Sequence, residues 1–240
     1  DSLQLETDVL VKGPIVNQIR DHFMVLWKSK SSKTVKGKTP KTPKYTNFDV
    51  LQDKAFSELK FFKTNAMEYW NDGCKKNKKT GSFAKTIALL SNAKKEIIIV
   101  NPYFLPDSKL KKVIKKAIDR GVSVTIYTNS AEVLALEYKM LGVAYSKNDS
   151  FYKKNKLIVY EAPESFGMIH SKMILVDGQN LYIGSQNLDP LGINHNTENG
   201  ILFESDVGIK WFRNEIGFYE ENFNLAYFKG KPLRGHYTIK

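Results

Sequence analysis

The run MIHSKMILVDGQNLYIGSQN places His170 and Lys172 two residues apart, then supplies Asp177, Gly184, Ser185 and Asn187. Most residues between them are apolar, so the run reads as two strands, IHSKMILVD and NLYIGSQ, joined by a turn at Asp177-Gly178. Strand side chains two apart point to one side, so His170 projects with Lys172 and Ser185 with Asn187. Antiparallel pairing through the turn brings the end of the second strand beside His170. A histidine next to one cation, one hydroxyl and one amide suits a tetrahedral phosphate. Lys172 neutralises a non-bridging oxygen, Asn187 and Ser185 donate to others, and a neutral His170 imidazole attacks phosphorus. A carboxylate such as Glu198 holds the ring in the right tautomer and stabilises its imidazolium. A lone strand histidine is usually a core or edge residue, and a lone lysine is usually solvated. Six residues in the frame H-x-K-x4-D-x6-G-S-x-N are another matter, since chance supplies that frame on the order of once in a hundred thousand such chains.

The elements that must position these residues alternate. A helix near 83–93 leads to the strand EIIIVN. Next come DSKLKKVIKKAIDR, a helix begun by Asp107 and stopped by Gly121, and the strand VSVTIYT. A helix around 131–141, the strand KLIVYE, the two motif strands, a last core strand TENGILFE and a helix over about 206–222 complete the pattern. Strands alternating with helices predict an α/β sandwich whose sheet is covered on both faces.

The upstream part is different. Residues 7–27 read as a short strand, a Gly-Pro break and an amphipathic helix with Ile15, Ile19, Phe23 and Leu26 on one face. Between Lys28 and Lys44 stand seven lysines, two prolines and no acid, a linker composition extended by self-repulsion. A helix is expected over Phe56–Trp70, before a second basic loop. The chain opens at Asp1 without a Met and reads as a piece of something longer. Its two ends are also alike. Glu6 can be laid on Glu198, and Val9-Leu10-Val11 on Ile201-Leu202-Phe203, with a helix following both, which suggests that residues 1–28 are the tail of an earlier repeat.

The 37 Lys and Arg against 25 Asp and Glu leave a net charge of +12, favouring nucleic acid, an anionic membrane or a phosphorylated substrate. A single cysteine, Cys74, excludes an internal disulfide framework. His22, His195 and His236 have no metal-ligand spacing. No apolar run approaches the roughly 18 residues of a membrane span. Tyr103, Phe104 and Leu105 are as well suited to core as to lining a lipid channel.

The frame of His170, Lys172, Asp177, Gly184, Ser185 and Asn187 resembles the HKD motif of the phospholipase D superfamily, with Glu198 where that family keeps a downstream acid. VNPYFLP, RGVSVTIYTNS and GSQNLDPLGINHNTENG resemble its bacterial cardiolipin synthase branch, Gln186 standing where Phe or Met is common. The resemblance implies a phospholipase D-like sandwich, with a mixed sheet flanked by helices on both faces. It divides the chain into the tail of a first lobe (1–28, with Glu6 as its carboxylate), a basic linker and connecting helix (29–81), and a second lobe (82–240). It implies catalytic roles for His170, Lys172, Ser185, Asn187 and Glu198, structural ones for Asp177 and Gly184, and a phosphohistidine formed without metal or other cofactor.

Two such lobes make one active site, so the partner is a missing N-terminal HKD lobe of the same protein or, failing that, a second copy in a homodimer. In that arrangement His170 is expected to protonate the departing alcohol while the upstream histidine attacks. The implied activity is phosphatidyl transfer from an anionic phospholipid, by a protein peripheral on the bacterial cytoplasmic membrane. The alternatives are a nuclease or other phosphodiesterase acting on nucleic acid, and a non-catalytic half that binds phosphate or lipid.

Overall fold

Ile97 through Val100 are apolar without alternation, which suits a strand covered on both faces. The computed structural model describes residues 4–5, 7, 9, 11, 13–28, 66–72, 81–137 and 139–233. Its first elements are β1 (Gln4–Leu5), α1 (Ile15–Lys28), β2 (Ala66–Asn71), α2 (Ser82–Asn92), β3 (Glu96–Val100), α3 (Ser108–Asp119) and β4 (Ser123–Asn129). A helical stretch follows, with α4 (Ala131–Glu137), α5 (Lys139–Ser146) and α6 (Asp149–Lys154). Then come β5 (Ile158–Ala162), β6 (Met168–Ile169), β7 (Met173–Val176), β8 (Asn180–Gly184) and α7 (Pro190–Asn194). The last are β9 (Asn199–Glu204), α8 (Asp206–Asn222), β10 (Asn224–Phe228) and β11 (Lys231–Pro232).

Nine of these strands form one mixed sheet in the order β11-β10-β5-β4-β3-β7-β8-β9-β2. β3, β4 and β5 run parallel, and the strands from β7 outward pair antiparallel. β3 divides its side chains as the apolar run requires. Ile97 and Ile99 enter a core with Leu90 of α2 and Leu110 and Ile114 of α3. Ile98 and Val100 enter the opposite core with Ile15 of α1 and Phe212 and Ile216 of α8. Asp107 caps α3 by accepting from the Leu110 amide at 2.7 Å, as its position at the start of the periodic run predicts. The sheet with helices on both faces is the expected architecture.

Several local expectations change. Residues 66–71, expected at the end of a helix, are the edge strand β2, paired antiparallel along β9. AMEYWN alternates as well as it spirals. The open hydrogen bonds of β9 decide the matter, with Trp70 buried against Tyr182 at 4.9 Å between ring centroids. Residues 56–65 and the basic linker lie outside the described residues, as do Cys74 and Glu6. The strand expected near Val9 and Val11 is replaced by the two-residue β1, which pairs parallel with β6. β9 has β8 and β2 to take its backbone groups on both sides. Thr7, Val9 and Val11 stand in no such ladder.

α1 starts at Ile15, one residue after the position that falls on the start of α8 when Glu6 is laid on Glu198, and it packs on this sheet. Ile15 is buried and Ile19 half-buried against Met67 and Tyr69 of β2 and their neighbours. Phe23, expected on that face, is 52% exposed. His22 takes the inward turn instead, its Nδ1 2.7 Å from the Tyr69 hydroxyl. Among the described residues no helix is long and apolar enough to cross a membrane.

Candidate active site

The C-terminal ends of β3, β4 and β8 meet the N-terminal ends of β7 and β9 at one end of the sheet. Open α/β sheets bind ligands outside such strand ends. A cavity of about 960 Å³ opens here, lined by His170, Lys172, Ser185, Asn187 and Glu198, with Thr7, Val9 and His195 at its sides. The five residues proposed from the sequence as catalytic therefore share one wall system. Among the described residues, no group of His, Cys, Asp and Glu could hold a metal ion.

The first motif strand is interrupted where the sequence pattern runs on. Residues 170–172 leave the ladder between β6 and β7. A side chain takes over the backbone pairing just before them. Asn129, at the end of β4, donates through Nδ2 to the Ile169 carbonyl at 3.0 Å and accepts from the Ile169 amide at 2.9 Å. The same amide group donates to the Pro102 carbonyl. The break frees His170 from the sheet, where the edge of the Tyr103 ring meets it at 6.2 Å between centroids. Ser171 turns the other way, its hydroxyl 2.8 Å from that of Thr7. Lys172 is 9% exposed, and its ammonium donates to the His170 carbonyl at 2.5 Å. Burial pushes the Asp189 carboxyl above its ordinary range, opposed by the Gly192 and Leu191 amides and by the Lys172 charge.

Asn187 is held from the β3 side. The buried Asn101 donates to the Gln186 carbonyl at 3.1 Å and accepts from the Leu188 amide at 3.0 Å, fixing the backbone before and after it. The Asn187 Oδ1 is buried and has no hydrogen-bond partner among the described residues.

Glu198 is buried and carries a finding against one expectation. The Ser185 hydroxyl donates to its carboxylate at 2.5 Å while accepting from the Asn199 amide at 3.0 Å. A hydroxyl has one proton, so Ser185 directs it at Glu198 and not at a phosphate in the cavity. The Glu198 backbone is clamped by Asp72, which accepts from the Glu198 amide at 2.8 Å and from the Ser82 amide at 2.9 Å. Under this floor the Tyr182 ring crosses two glycines. A Cβ at Gly184 would stand 2.3 Å from its hydroxyl oxygen, and one at Gly200 would be 2.5 Å from its ring.

Asp177 lies at the far end of β7. Its carboxylate accepts from the amides of Lys94, Lys95 and Glu96, ahead of β3. Burial pushes this carboxyl up, but the Lys95, Glu96 and Lys94 amides outweigh it and hold the group below the usual carboxylate range.

Asn101, Asn129 and Asp72 are the site residues that sequence reasoning missed. The two asparagines had a signal, an amide closing an otherwise apolar strand, which marks a polar group taken to a buried strand end. Asp72 had none, because its strand read as helix. Of the aromatic pair after Asn101, Tyr103 reaches the site and Phe104 is fully buried core.

Similar architecture occurs in two solved structures. A phospholipase D family member, Nuc from Salmonella typhimurium, superposes with a TM-score of 0.55 at 17% identity, over 66% of this chain and 96% of that one. A phosphatidylserine synthase of Haemophilus influenzae gives a TM-score of 0.55 at 17% identity, over 68% and 40% of the respective chains. In sequence, a cardiolipin synthase of Listeria welshimeri is 26% identical over 203 residues, 84% of this chain and 38% of that protein. The matched stretch makes up between 27% and 38% of the length of such curated relatives. The family model described as "Cardiolipin synthase, PLD-like domain" matches residues 86–217, more than half of the 240. The chain belongs to that family.

Proposed function

We propose that this domain is the C-terminal half of a phospholipase D-type phosphatidyltransferase of the cardiolipin synthase kind. The observation that carries the reading is the cavity that gathers His170, the buried Lys172 and Asn187, in a chain of this family. A phosphodiester entering it meets one buried cation and one amide for its non-bridging oxygens. Their charge grows in the transition state, so both bind that state more tightly than the ground state.

The reaction runs in two displacements. A histidine nitrogen attacks phosphorus, forming a P–N bond as the P–O bond to the departing alcohol breaks, and the second histidine gives that alkoxide its proton. The hydroxyl of an acceptor then loses its proton to the second histidine and attacks phosphorus, breaking the P–N bond and restoring both rings. His170 takes the proton-transfer role, and the attacking ring comes from an upstream lobe or a second copy. Residues 1–28 are read as that lobe's tail. Their position supports this, with β1 on β6 and Thr7 against Ser171 at the cavity's edge. The substrate is an anionic phospholipid met at the surface of the bacterial cytoplasmic membrane, which the +12 net charge favours.

The test is product analysis by mass spectrometry. Full-length protein on phosphatidylglycerol vesicles should yield cardiolipin and glycerol, and a His170→Ala variant should yield neither. Phosphatidic acid without cardiolipin would replace transfer by hydrolysis. Cleavage of single-stranded DNA with the lipid untouched would overturn the reading in favour of a nuclease.

A further inference from the structure

Beside the His170 cavity lies a second depression of about 550 Å³ that shares Asn187 and Asn196 with it. Its other walls are of a different kind. Tyr103, Met140, Leu141 and Leu191 supply most of them, from the loop after β3 and from α5 and α7. We infer that this groove seats one acyl chain of the phospholipid whose phosphodiester occupies the His170 cavity, an inference that rests on the lipid reading above.

Continuity makes the first argument. The groove is not a separate hole, because Asn187 borders both spaces, so a ligand bound at phosphorus has a direct path into it. Exposure makes the second. Leu141 packs against the core, but its neighbour Met140 is 84% exposed and Leu191 is 62% exposed. Single exposed apolar residues are ordinary. Two of them on separate elements, flanking a groove that runs out of a charged cavity, give that groove apolar lips that the core does not use.

Rigidity makes the third. α7 is fixed to the Asn187 backbone, since a Cβ on Gly192 would stand 2.2 Å from the Asn187 carbonyl oxygen. Asp189 caps the same short helix by accepting from the Gly192 amide at 2.7 Å. Leu191 is thus carried at a set position from the phosphate-facing amide. The lining chemistry selects the occupant. A nucleobase needs ring faces to stack on, and the groove offers one tyrosine among aliphatic and thioether side chains. A flexible hydrocarbon chain suits such walls, and methionine adapts to its kinks. Lys139 stands in the same groove, a cation placed for an anionic headgroup or a neighbouring lipid phosphate.

The experiment compares two soluble, monomeric substrates of the full-length protein, dihexanoyl- and dioctanoyl-phosphatidylglycerol. One buried chain gains two methylenes between them, so wild-type KM should fall about tenfold from the first to the second. In the double variant Met140→Ser/Leu191→Ser that advantage should shrink below about threefold, because kcat/KM falls more for the dioctanoyl than for the dihexanoyl lipid while Tm is kept. Equal KM values in the wild type, or an advantage the variant leaves intact, would overturn the groove assignment alone. An equal loss on both lipids with a lower Tm would make this face a packing surface for another lobe, and would also overturn it. A wild-type protein inert to both lipids would remove the lipid reading itself, and the groove assignment with it.

Discussion

The two ends of the β7–β8 hairpin carry one sequence motif and have opposite chemistry. At the turn, residues 177–179 join the paired Val176 and Asn180, and Asp177 and Gly178 adopt left-handed φ of +56° and +66° that let the Gln179 amide reach the Val176 carbonyl. The Asp177 carboxylate there accepts three successive backbone amides at 2.7–3.1 Å. At the open end, the Lys172 ammonium is buried, donates to the His170 carbonyl and lines a cavity. The Asn187 oxygen beside it is buried without a partner among the described residues. An unpaired buried polar group costs about 1–3 kcal/mol. One end is saturated and stabilises; the other places a buried cation and an amide side chain on the wall of an open cavity. The four residues of β7 keep the two apart by about 16 Å. That distance removes Asp177 from any phosphate held at Lys172, whatever the motif's spelling suggests.

The largest effect should come from the open end. Replacing Lys172 by Met keeps the stem and removes the charge, so turnover of the full-length protein should fall at least 10²- to 10³-fold, roughly the loss of one transition-state donor. Stability should fall by no more than about 1–3 kcal/mol, the cost of leaving the His170 carbonyl without its donor. Steady-state kinetics beside a thermal melt checks both halves. Near-normal turnover, or a melt that collapses, would put Lys172 on the structural side of the comparison.

What was legible in the sequence follows the same division. Side-chain types at fixed spacing singled out His170, Lys172, Asn187 and Glu198, which line one cavity. The core was legible for a related reason. IIIV is apolar on both faces, VSVTIYT alternates with Val122, Val124 and Ile126 buried, and Asp107 and Gly121 mark the ends of α3 with a cap and a φ of +90°. Hidden were the contacts decided by tertiary partners. AMEYWN became a strand because β9 offered an edge. The strand around His170 broke because a distant asparagine supplied the hydrogen bonds that a neighbouring strand would have given. The Ser185 hydroxyl, expected to donate to a phosphate, donates to Glu198, which sits within its reach. No local pattern reports a partner that is 13 or 40 positions away.

The next effect sharpens the boundary between holding and reacting. Asn129→Ala leaves the Ile169 amide and carbonyl and the Pro102 carbonyl without their partner, at a cost of about 1–3 kcal/mol. Tm should drop by about 2–4 °C per kcal/mol. Because Ile169 precedes His170, turnover per folded molecule, measured well below Tm, should also drop about tenfold through misplacement of the ring. A melt shift with full turnover would make Asn129 a fold residue only.

The smallest effect belongs to the saturated end. In Asp177→Asn the side-chain oxygen still accepts an amide bond, but the charge that strengthens three of them is gone, a loss of about 1 kcal/mol. The pH dependence follows from the lowered folded-state pKa of Asp177. A carboxyl depressed on folding stabilises the protein in full above its unfolded value of about 3.9, and this contribution disappears as pH falls through the lower folded value. Denaturant melts of the two proteins should therefore differ at pH 7, converge below about pH 4, and coincide once the folded carboxyl is protonated. Turnover per folded molecule at pH 7 should be the same in both, since about 16 Å of strand separates this carboxylate from Lys172. A stability gap that persists in acid would mean that the carboxylate's charge contributes nothing at the turn. A gap of zero at pH 7 with turnover reduced would place Asp177 in the chemistry and erase the distinction between the two ends.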